Sequence, residues 1–283
     1  MRGSAAQYEV TAPTDLPHAL QLVTEGYRPL AGGTDLMVAF ERGSLTYPKL
    51  VSIWKLPELR GVLVENGALV MGALTTYTDL ITSGAVRQHA PALAIAAHET
   101  AAVAIRNRGT VGGNIANASP AADLPPALMI YDADIELAST RGRRWVPYAT
   151  FHTTYKATVM AVDEIITRVR LPVAGHHTKF LYRKVGTRKA QAISKVCMAA
   201  LVRDDGQTRV AFGSLAPTVV RARTVEQGVE KALTTGLDYA SIERIAESVR
   251  DDVGPIDDIR STAHYRINVT VNLVRHWLEG QLP

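Results

Sequence analysis

Cysteine is almost missing from this chain: Cys197 stands alone among 283 residues. One thiol cannot close an internal disulfide, and it cannot hold an iron–sulfur cluster, which takes several thiolates. Any redox group here is held without cysteine ligands, and the reducing cytoplasm is the expected compartment. Cys197 sits in the apolar run Val196-Cys197-Met198-Ala199-Ala200-Leu201 and reads as a small buried hydrophobe, not a reactive thiol. Long apolar runs are missing too. None approaches the roughly 20 residues of a membrane-spanning helix, and the opening Met1 to Gln7 lacks the apolar stretch of a secretion signal.

Aromatic residues are sparse, at 6%. They are not interleaved with the basic clusters Arg141-Gly142-Arg143-Arg144 and Arg183-Lys184 to Arg188-Lys189, so the pattern gives no nucleic-acid platform. The first cluster reads as a solvated turn. The net charge of +4 is modest; the basic balance is compatible with an acidic partner but does not demand one. The three spaced glycines of a nicotinamide Rossmann site are absent, as are the Gly-Lys-Ser/Thr of a nucleotide-hydrolysing loop and the Gly-x-Ser-x-Gly of a serine nucleophile. No two histidines take helix-ligand spacing beside an acid, and His176-His177 reads as part of a linker. Asp251-Asp252 and Asp257-Asp258 flank a Gly-Pro turn and read as solvated.

What is present fills two ordinary domains. Residues 1–174 form the first, with subdomains of about 1–55 and 56–174, and residues 175–283 the second. Early on, Pro13-Thr14-Asp15 starts a helix carrying Leu16, Ala19, Leu20 and Val23 on one face. A short strand at Arg28-Pro29-Leu30, a helix from Leu36 to Arg42 ending at Gly43, and a strand at Leu50 to Ile53 suggest a small, mainly parallel layer. Strands at Ala68–Ala73, Ile135–Leu137 and Ile165–Leu171, with helices at Thr78–Ser83 and Pro91–His98, give the next unit antiparallel α+β character. Past Pro172, three strands are expected: Phe180–Val185, Ile193–Arg203 and Thr208–Gly213, the last two joined by the hairpin signal Asp204-Asp205-Gly206-Gln207. Three helices follow. The first is capped by Thr224 with Gln227 three residues on, the second starts near Ser241, and the third runs from about Ser261 to Leu278 with Tyr265, Val269, Leu273 and Trp277 on one face.

Two stretches carry chemistry. In Ala31-Gly32-Gly33-Thr34-Asp35, paired glycines between strand and helix let the backbone turn sharply and approach a ligand, and their N–H groups favour an anion such as a pyrophosphate. A tight connecting loop is the other reading of such a turn. The second stretch, from Arg106 to Leu128, is glycine-rich and built of small polar residues, and reads as a long functional loop offering N–H, hydroxyl and amide groups within a short arc.

The pair Ala-Gly-Gly-Thr-Asp-Leu-Met (31–37) and Thr-Val-Gly-Gly-Asn-Ile-Ala-Asn-Ala-Ser-Pro-Ala-Ala-Asp (110–123), in this order, resembles the FAD-binding medium subunit of the xanthine dehydrogenase and carbon monoxide dehydrogenase family. Leu56-Pro57-Glu58-Leu59, Gly72-Ala73-Leu74-Thr75-Thr76, Tyr182 to Lys189 and Tyr265-Arg266 are similar to it as well. The resemblance implies an α+β fold: an FAD-binding domain of the vanillyl-alcohol-oxidase type in two subdomains, then a smaller C-terminal α+β domain with a three-stranded sheet and helices. It also implies site roles. Pro29, Leu30, Ala31, Gly32, Gly33, Thr34, Asp35 and Leu36 would wrap the FAD pyrophosphate, with Thr110, Gly112, Gly113, Asn114 and Ala118 of the second motif closing over it. Asp123 would accept a hydrogen bond from a ribose or ribityl hydroxyl, Ile166 would pack near the flavin ring, and Lys184 would set a cation near it. Read without the resemblance, Asp123 is a helix cap, Ile166 ordinary core and Lys184 a solvated strand residue. Where the carbon monoxide branch tends to carry His-Ser after the paired glycines, Thr34-Asp35 looks more like the xanthine, aldehyde or N-heterocycle branch.

The implied partners are a large subunit with a molybdenum cofactor and a small subunit with two [2Fe–2S] clusters, forming a heterotrimer whose further dimerisation is open. The implied activity is electron transfer from those clusters through FAD to NAD+, oxygen or another acceptor, with no substrate-oxidising residue in this chain. A stand-alone flavin oxidase or reductase of the same fold is the alternative, and a non-enzymatic interaction module with tight glycine turns a third.

Overall fold

The computed structural model describes residues 4–173, 177–189 and 191–280. The central residues of the expected linker, 174–176, lie outside the described residues, as do the first three.

The chain begins with β1 (Glu9–Thr11), α1 (Leu16–Thr24), β2 (Arg28–Leu30), α2 (Leu36–Arg42) and β3 (Lys49–Ser52). The three strands form a parallel sheet in the order β1-β3-β2. Asp15 caps α1 by accepting from the His18 N–H at 2.8 Å, and Leu16, Ala19, Leu20 and Val23 are its buried face. Helix α2 ends at Gly43, whose φ of 69° is the left-handed stop that favours glycine.

A second unit comprises β4 (Val62–Glu65), β5 (Ala68–Gly72), α3 (Tyr77–Thr82), α4 (Gly84–His89), α5 (Pro91–Glu99), α6 (Val103–Arg106), α7 (Val111–Ala116), α8 (Leu124–Ile130), β6 (Asp134–Ser139), β7 (Gly142–Pro147), the hairpin β8 (His152–Thr154) and β9 (Ala157–Thr158), and β10 (Ile165–Pro172). Its sheet is antiparallel throughout, in the order β4-β5-β10-β6-β7. One sheet face and helices α3, α4, α5, α7 and α8 bury a shared core that includes Leu69, Met71, Leu93, Ile115, Leu128 and Ile135.

The third unit contains β11 (His177–Val185), β12 (Val196–Arg203), β13 (Thr208–Gly213), β14 (Val220–Arg221), α9 (Arg223–Thr235), α10 (Tyr239–Ser248) and α11 (Ala263–Glu279). Its sheet runs β11-β12-β13-β14. The expected meander is there, with a short fourth strand added at its edge. Strand β12 is buried on both faces: Cys197, Ala199 and Leu201 join the core of the second unit, while Val196, Met198, Ala200 and Val202 face the core under the last helices. Its continuous apolar run is the pattern such a strand needs.

Four expectations change. The stretch from Arg106 to Leu128 is no long loop: α7 and α8 occupy much of it. Two consecutive glycines hide the apolar periodicity of α7, but close contact selects them, since a Cβ on Gly112 would lie 2.7 Å from the Ala73 Cβ and one on Gly113 2.9 Å from the Thr110 hydroxyl. Thr224 does not cap α9. The N-cap is Ala222, and Asp252 accepts from the N–H groups of Thr224 and Val225 at 3.1 and 3.3 Å. In α11 the buried residues are Arg266, Thr270, Val271, Val274, Trp277 and Leu278, while Tyr265 lies largely exposed. A row spaced every four residues drifts about 40° per step around a helix of 3.6 residues per turn, so the expected stripe crosses out of the core. Arg141 to Arg144 stay exposed, but from Gly142 on the stretch is strand β7 and no turn, and its charges are paired, Arg141 to Asp163, Arg143 to Glu136 and Arg144 to Glu164.

Candidate cofactor site

The two glycine stretches meet in space. A Cβ on Gly32 would fall 1.7 Å from the Arg108 carbonyl oxygen, so only glycine allows this approach of backbone to backbone. Arg108 Nε donates to the Gly32 carbonyl at 3.3 Å, and its guanidinium lies over the Trp54 ring, 3.8 Å from the centroid. Asn117 Nδ2 donates to Asp35 Oδ1 at 3.1 Å.

A cleft of about 410 Å³ opens between them, lined by Pro29, Ala31 to Leu36, Tyr47, Tyr77, Ile105, Thr110, Gly113, Asn114, Ala116 and Asn117. A second, of about 520 Å³, shares Pro29, Ala31, Tyr47, Gly113 and Ala116 with it and continues to Gly112, Lys156, Met160, Ile165 and Ile166. Both volumes fall within the range usual for cofactor sites.

The two motifs contribute differently. After Gly33, which turns with φ 79°, the main-chain N–H groups of Gly33, Thr34, Asp35 and Leu36 donate to no group among the described residues. Consecutive free amides of this kind form an anion-binding concavity. In the second motif the amides are already engaged. The Val111 N–H donates to the Thr75 carbonyl at 2.9 Å, that of Gly112 to Ala73 at 2.8 Å and that of Asn114 to Thr110 at 2.9 Å. Thr110 Oγ1 caps α7 by accepting from the Gly113 N–H at 3.1 Å. The glycine turn from Val111 to Asn114 therefore offers no run of free amides. It offers a smooth glycine surface and the Asn114 side chain, whose Nδ2 donates to the Tyr77 hydroxyl at 2.9 Å while Oδ1 is buried without a partner. Burial pushes the Tyr77 phenol above its ordinary value, against the Asn114 hydrogen bond. It stays neutral as part of the wall.

The remaining expected residues sit elsewhere or differently. Leu30 lies beneath the Gly33 turn, its Cδ1 3.6 Å from where a Gly33 Cβ would stand. Ala118 is buried in a left-handed turn (φ 49°) after α7 and does not line either cleft. Ile166 lines the second cleft. Asp123 and Lys184 line neither. They form an ion pair of 2.7 Å whose side chains are 10% and 7% exposed. Lys184 also donates to the Glu99 carbonyl at 3.1 Å, and Ser194 Oγ donates to the other Asp123 oxygen at 2.7 Å. Burial pushes the Asp123 carboxyl up while Lys184 pulls it down. Asp123 occupies the N-cap position of α8, but its side chain makes no capping bond, and Lys184 is buried in the ion pair and not solvated. Tyr47, Tyr77, Ile105, Asn117 and Lys156 also line the clefts, without standing out in the sequence as site residues. Asn117 alone had a signal, its place inside the second glycine motif.

Among the described residues no group of histidine, cysteine, aspartate and glutamate could hold a metal ion, and no helix is long and apolar enough to cross a membrane. The donor set instead fits a dinucleotide cofactor: a run of free amides for a diphosphate, an orphaned amide oxygen for a hydroxyl, and a partly apolar cleft continuing from it.

Comparison with known proteins agrees. Residues 6–174 match the family described as the FAD binding domain in molybdopterin dehydrogenase, and residues 181–280 match the CO dehydrogenase flavoprotein C-terminal domain. The xanthine dehydrogenase FAD-binding subunit of Escherichia coli O157:H7 is 37% identical over 252 residues, covering 87% of this chain and 85% of that protein. The carbon monoxide dehydrogenase medium chain of Hydrogenophaga pseudoflava is 29% identical over 97% of this chain and 96% of its own length. A solved structure of carbon monoxide dehydrogenase from Hydrogenophaga pseudoflava superposes with a TM-score of 0.90 at 28% identity, covering 96% of both chains. The chain belongs to the family of FAD-binding subunits of the molybdopterin-dependent dehydrogenases related to xanthine and carbon monoxide dehydrogenase.

Proposed function

We propose that this chain holds FAD in a three-part molybdenum hydroxylase and passes electrons from the [2Fe–2S] clusters of a small partner to NAD+, oxygen or another acceptor. Substrate hydroxylation then belongs to a large partner with a molybdenum cofactor, and the complex works in the cytoplasm. FAD supplies a carrier that accepts electrons singly and releases them singly or in pairs. The single observation that carries the reading is the run of free amides from Gly33 to Leu36 along a cleft that Asn114 also lines. The amides hold the diphosphate, and Asn114 Oδ1 accepts from a hydroxyl of the cofactor. Ile166, in the second cleft, packs against the ring system. Lys184 acts only as half of a neutralised pair with Asp123, so its field is weaker than that of a lone ammonium. One cysteine leaves the clusters to another chain.

The relatives support the division of labour, being named as FAD-binding subunit and medium chain. Thr34-Asp35 and the higher identity to the xanthine relative favour an aldehyde, purine or N-heterocycle as the substrate class.

The purified chain is expected to show flavin absorbance near ~450 nm, and the co-purified complex to contain molybdenum and iron. Gly33→Val places a β-branched residue at φ 79°, and Gly113→Val sets a Cβ 2.9 Å from the Thr110 hydroxyl. Both variants are expected to fold and to be colourless. Full FAD occupancy in both would refute this placement of the cradle.

A further inference from the structure

We propose that the β8–β9 hairpin is a clasp on the FAD cradle and that Lys156 at its tip is the positioning residue that keeps the cradle closed, an inference that rests on the FAD reading above. The hairpin turns through Tyr155 and Lys156, between the paired residues Thr154 and Ala157. Lys156 has φ 58°, a conformation that glycine or asparagine adopts more readily than lysine. The backbone of this turn does not ask for lysine, so the reason lies in its side chain. Its Nζ donates to the Asn117 carbonyl at 2.8 Å and to Asn117 Oδ1 at 2.6 Å. Asn117 Nδ2 in turn donates to Asp35 Oδ1 at 3.1 Å, and Asp35 lies inside the run of free amides.

At the base of the same hairpin, His152 Nε2–H donates to the Ile115 carbonyl at 2.9 Å. Hairpin and α7 are thus tied at the carbonyls of residues 115 and 117, and Lys156 extends the tie through Asn117 to the first glycine motif. Lys156 makes no ion pair among the described residues; both of its recorded hydrogen bonds go to Asn117. It lines the second cleft, while Asn117 and Asp35 line the first, so the chain of contacts spans the junction of the two. With the tie intact, Asp35 and its neighbouring amides are held against α7, and loss of the tie is expected to speed FAD release.

The test measures the FAD dissociation constant and release rate of the whole purified protein, from the fluorescence of freed FAD, alongside the Tm of the apoprotein. Lys156→Met is expected to bind FAD about tenfold more weakly, through faster release, and Lys156→Arg to retain most of the affinity. Lys156→Gly relaxes the turn, so its apoprotein Tm is expected to stay level or rise while FAD affinity still falls. If the wild-type protein takes up no FAD, the flavin reading itself fails. If it does, and Lys156→Met and Lys156→Gly bind FAD as tightly as wild type, the clasp is refuted. A loss of FAD that tracks a falling apoprotein Tm in both variants refutes it equally, because the hairpin is then merely structural.

Discussion

Arg266 is the most completely buried charge on the last helix, at 1% exposure, and Asp258 is what makes that burial tolerable. Its carboxylate accepts from Arg266 Nη2 at 2.5 Å, while Nη1 donates to the Ser214 carbonyl at 2.8 Å. Hydrogen bonds from the Arg260 side chain, then from the Arg260 main chain and Arg266, hold the Asp258 carboxyl well below the usual carboxylate range, against some desolvation. A depressed acid stabilises the fold above its unfolded pKa of about 3.9 and loses that contribution as pH falls toward the folded value. Asp258→Asn strands the Arg266 charge, so it is expected to cost about 3 kcal/mol at neutral pH. Urea titrations should show the gap between wild type and variant closing below about pH 4; a gap independent of pH would mean that Asp258 acts by shape alone. Nothing in the local sequence announced this. An acidic pair beside a Gly-Pro turn looks solvated until α11 brings an arginine from eight residues further on. The same holds for Asp123 and Lys184, which are 61 residues apart in sequence and 2.7 Å apart in space.

Elements whose signals are local were legible. Helix α2 begins at Leu36 and ends before Gly43 as the glycine stop requires, and the Asp204-Asp205-Gly206-Gln207 hairpin joins β12 to β13. Elements decided by contact were not. Helix α7 reads as loop because its glycines are chosen by close contact, Gly112 with Ala73 and Gly113 with the Thr110 hydroxyl, and not by helix propensity. The cap of α9 comes from Asp252, 28 residues beyond the N–H it serves, where the local pattern offered Thr224. Asp252→Ala is therefore expected to lose about 1 kcal/mol of stability in urea denaturation, and Thr224→Ala only a few tenths. The reverse order would return the cap to Thr224. In the site, the amide run of the first motif could be read from Gly32-Gly33. The engagement of the second motif's amides by Thr75 and Ala73 could not, because it depends on β5 and the turn after it lying alongside α7.

Across the whole molecule, the two matched family segments meet in a shared core and not at a hinge. Tyr182, Cys197, Ala199, Leu201, Ala211 and Val219, all beyond residue 180, pack in the same cluster as Leu69, Leu93 and Leu128. Over this apolar seam lies a charged one. Asp132, in the turn between α8 and β6, accepts from Arg203, Arg209 and Arg221 of the C-terminal sheet, each at 3.0 Å, and Arg221 also pairs with Glu226 of α9. Each portion also has an apolar cluster of its own, but removing either would expose the other's share of the common core and leave one side of this charged cluster without its counter-charge, so the two are coupled. The expected consequence is one cooperative unfolding transition. The chain has three tryptophans, Trp54, Trp145 and Trp277, and two of them report on opposite sides of the seam. A variant retaining only Trp145 reads the five-stranded sheet, and one retaining only Trp277 reads the C-terminal helices. Their fluorescence midpoints in urea should coincide with each other and with the loss of far-UV circular dichroism. Midpoints that separate would show the C-terminal portion detaching first, and the shared core would then be a contact between independent domains instead of the framework that fixes the back of the cofactor site.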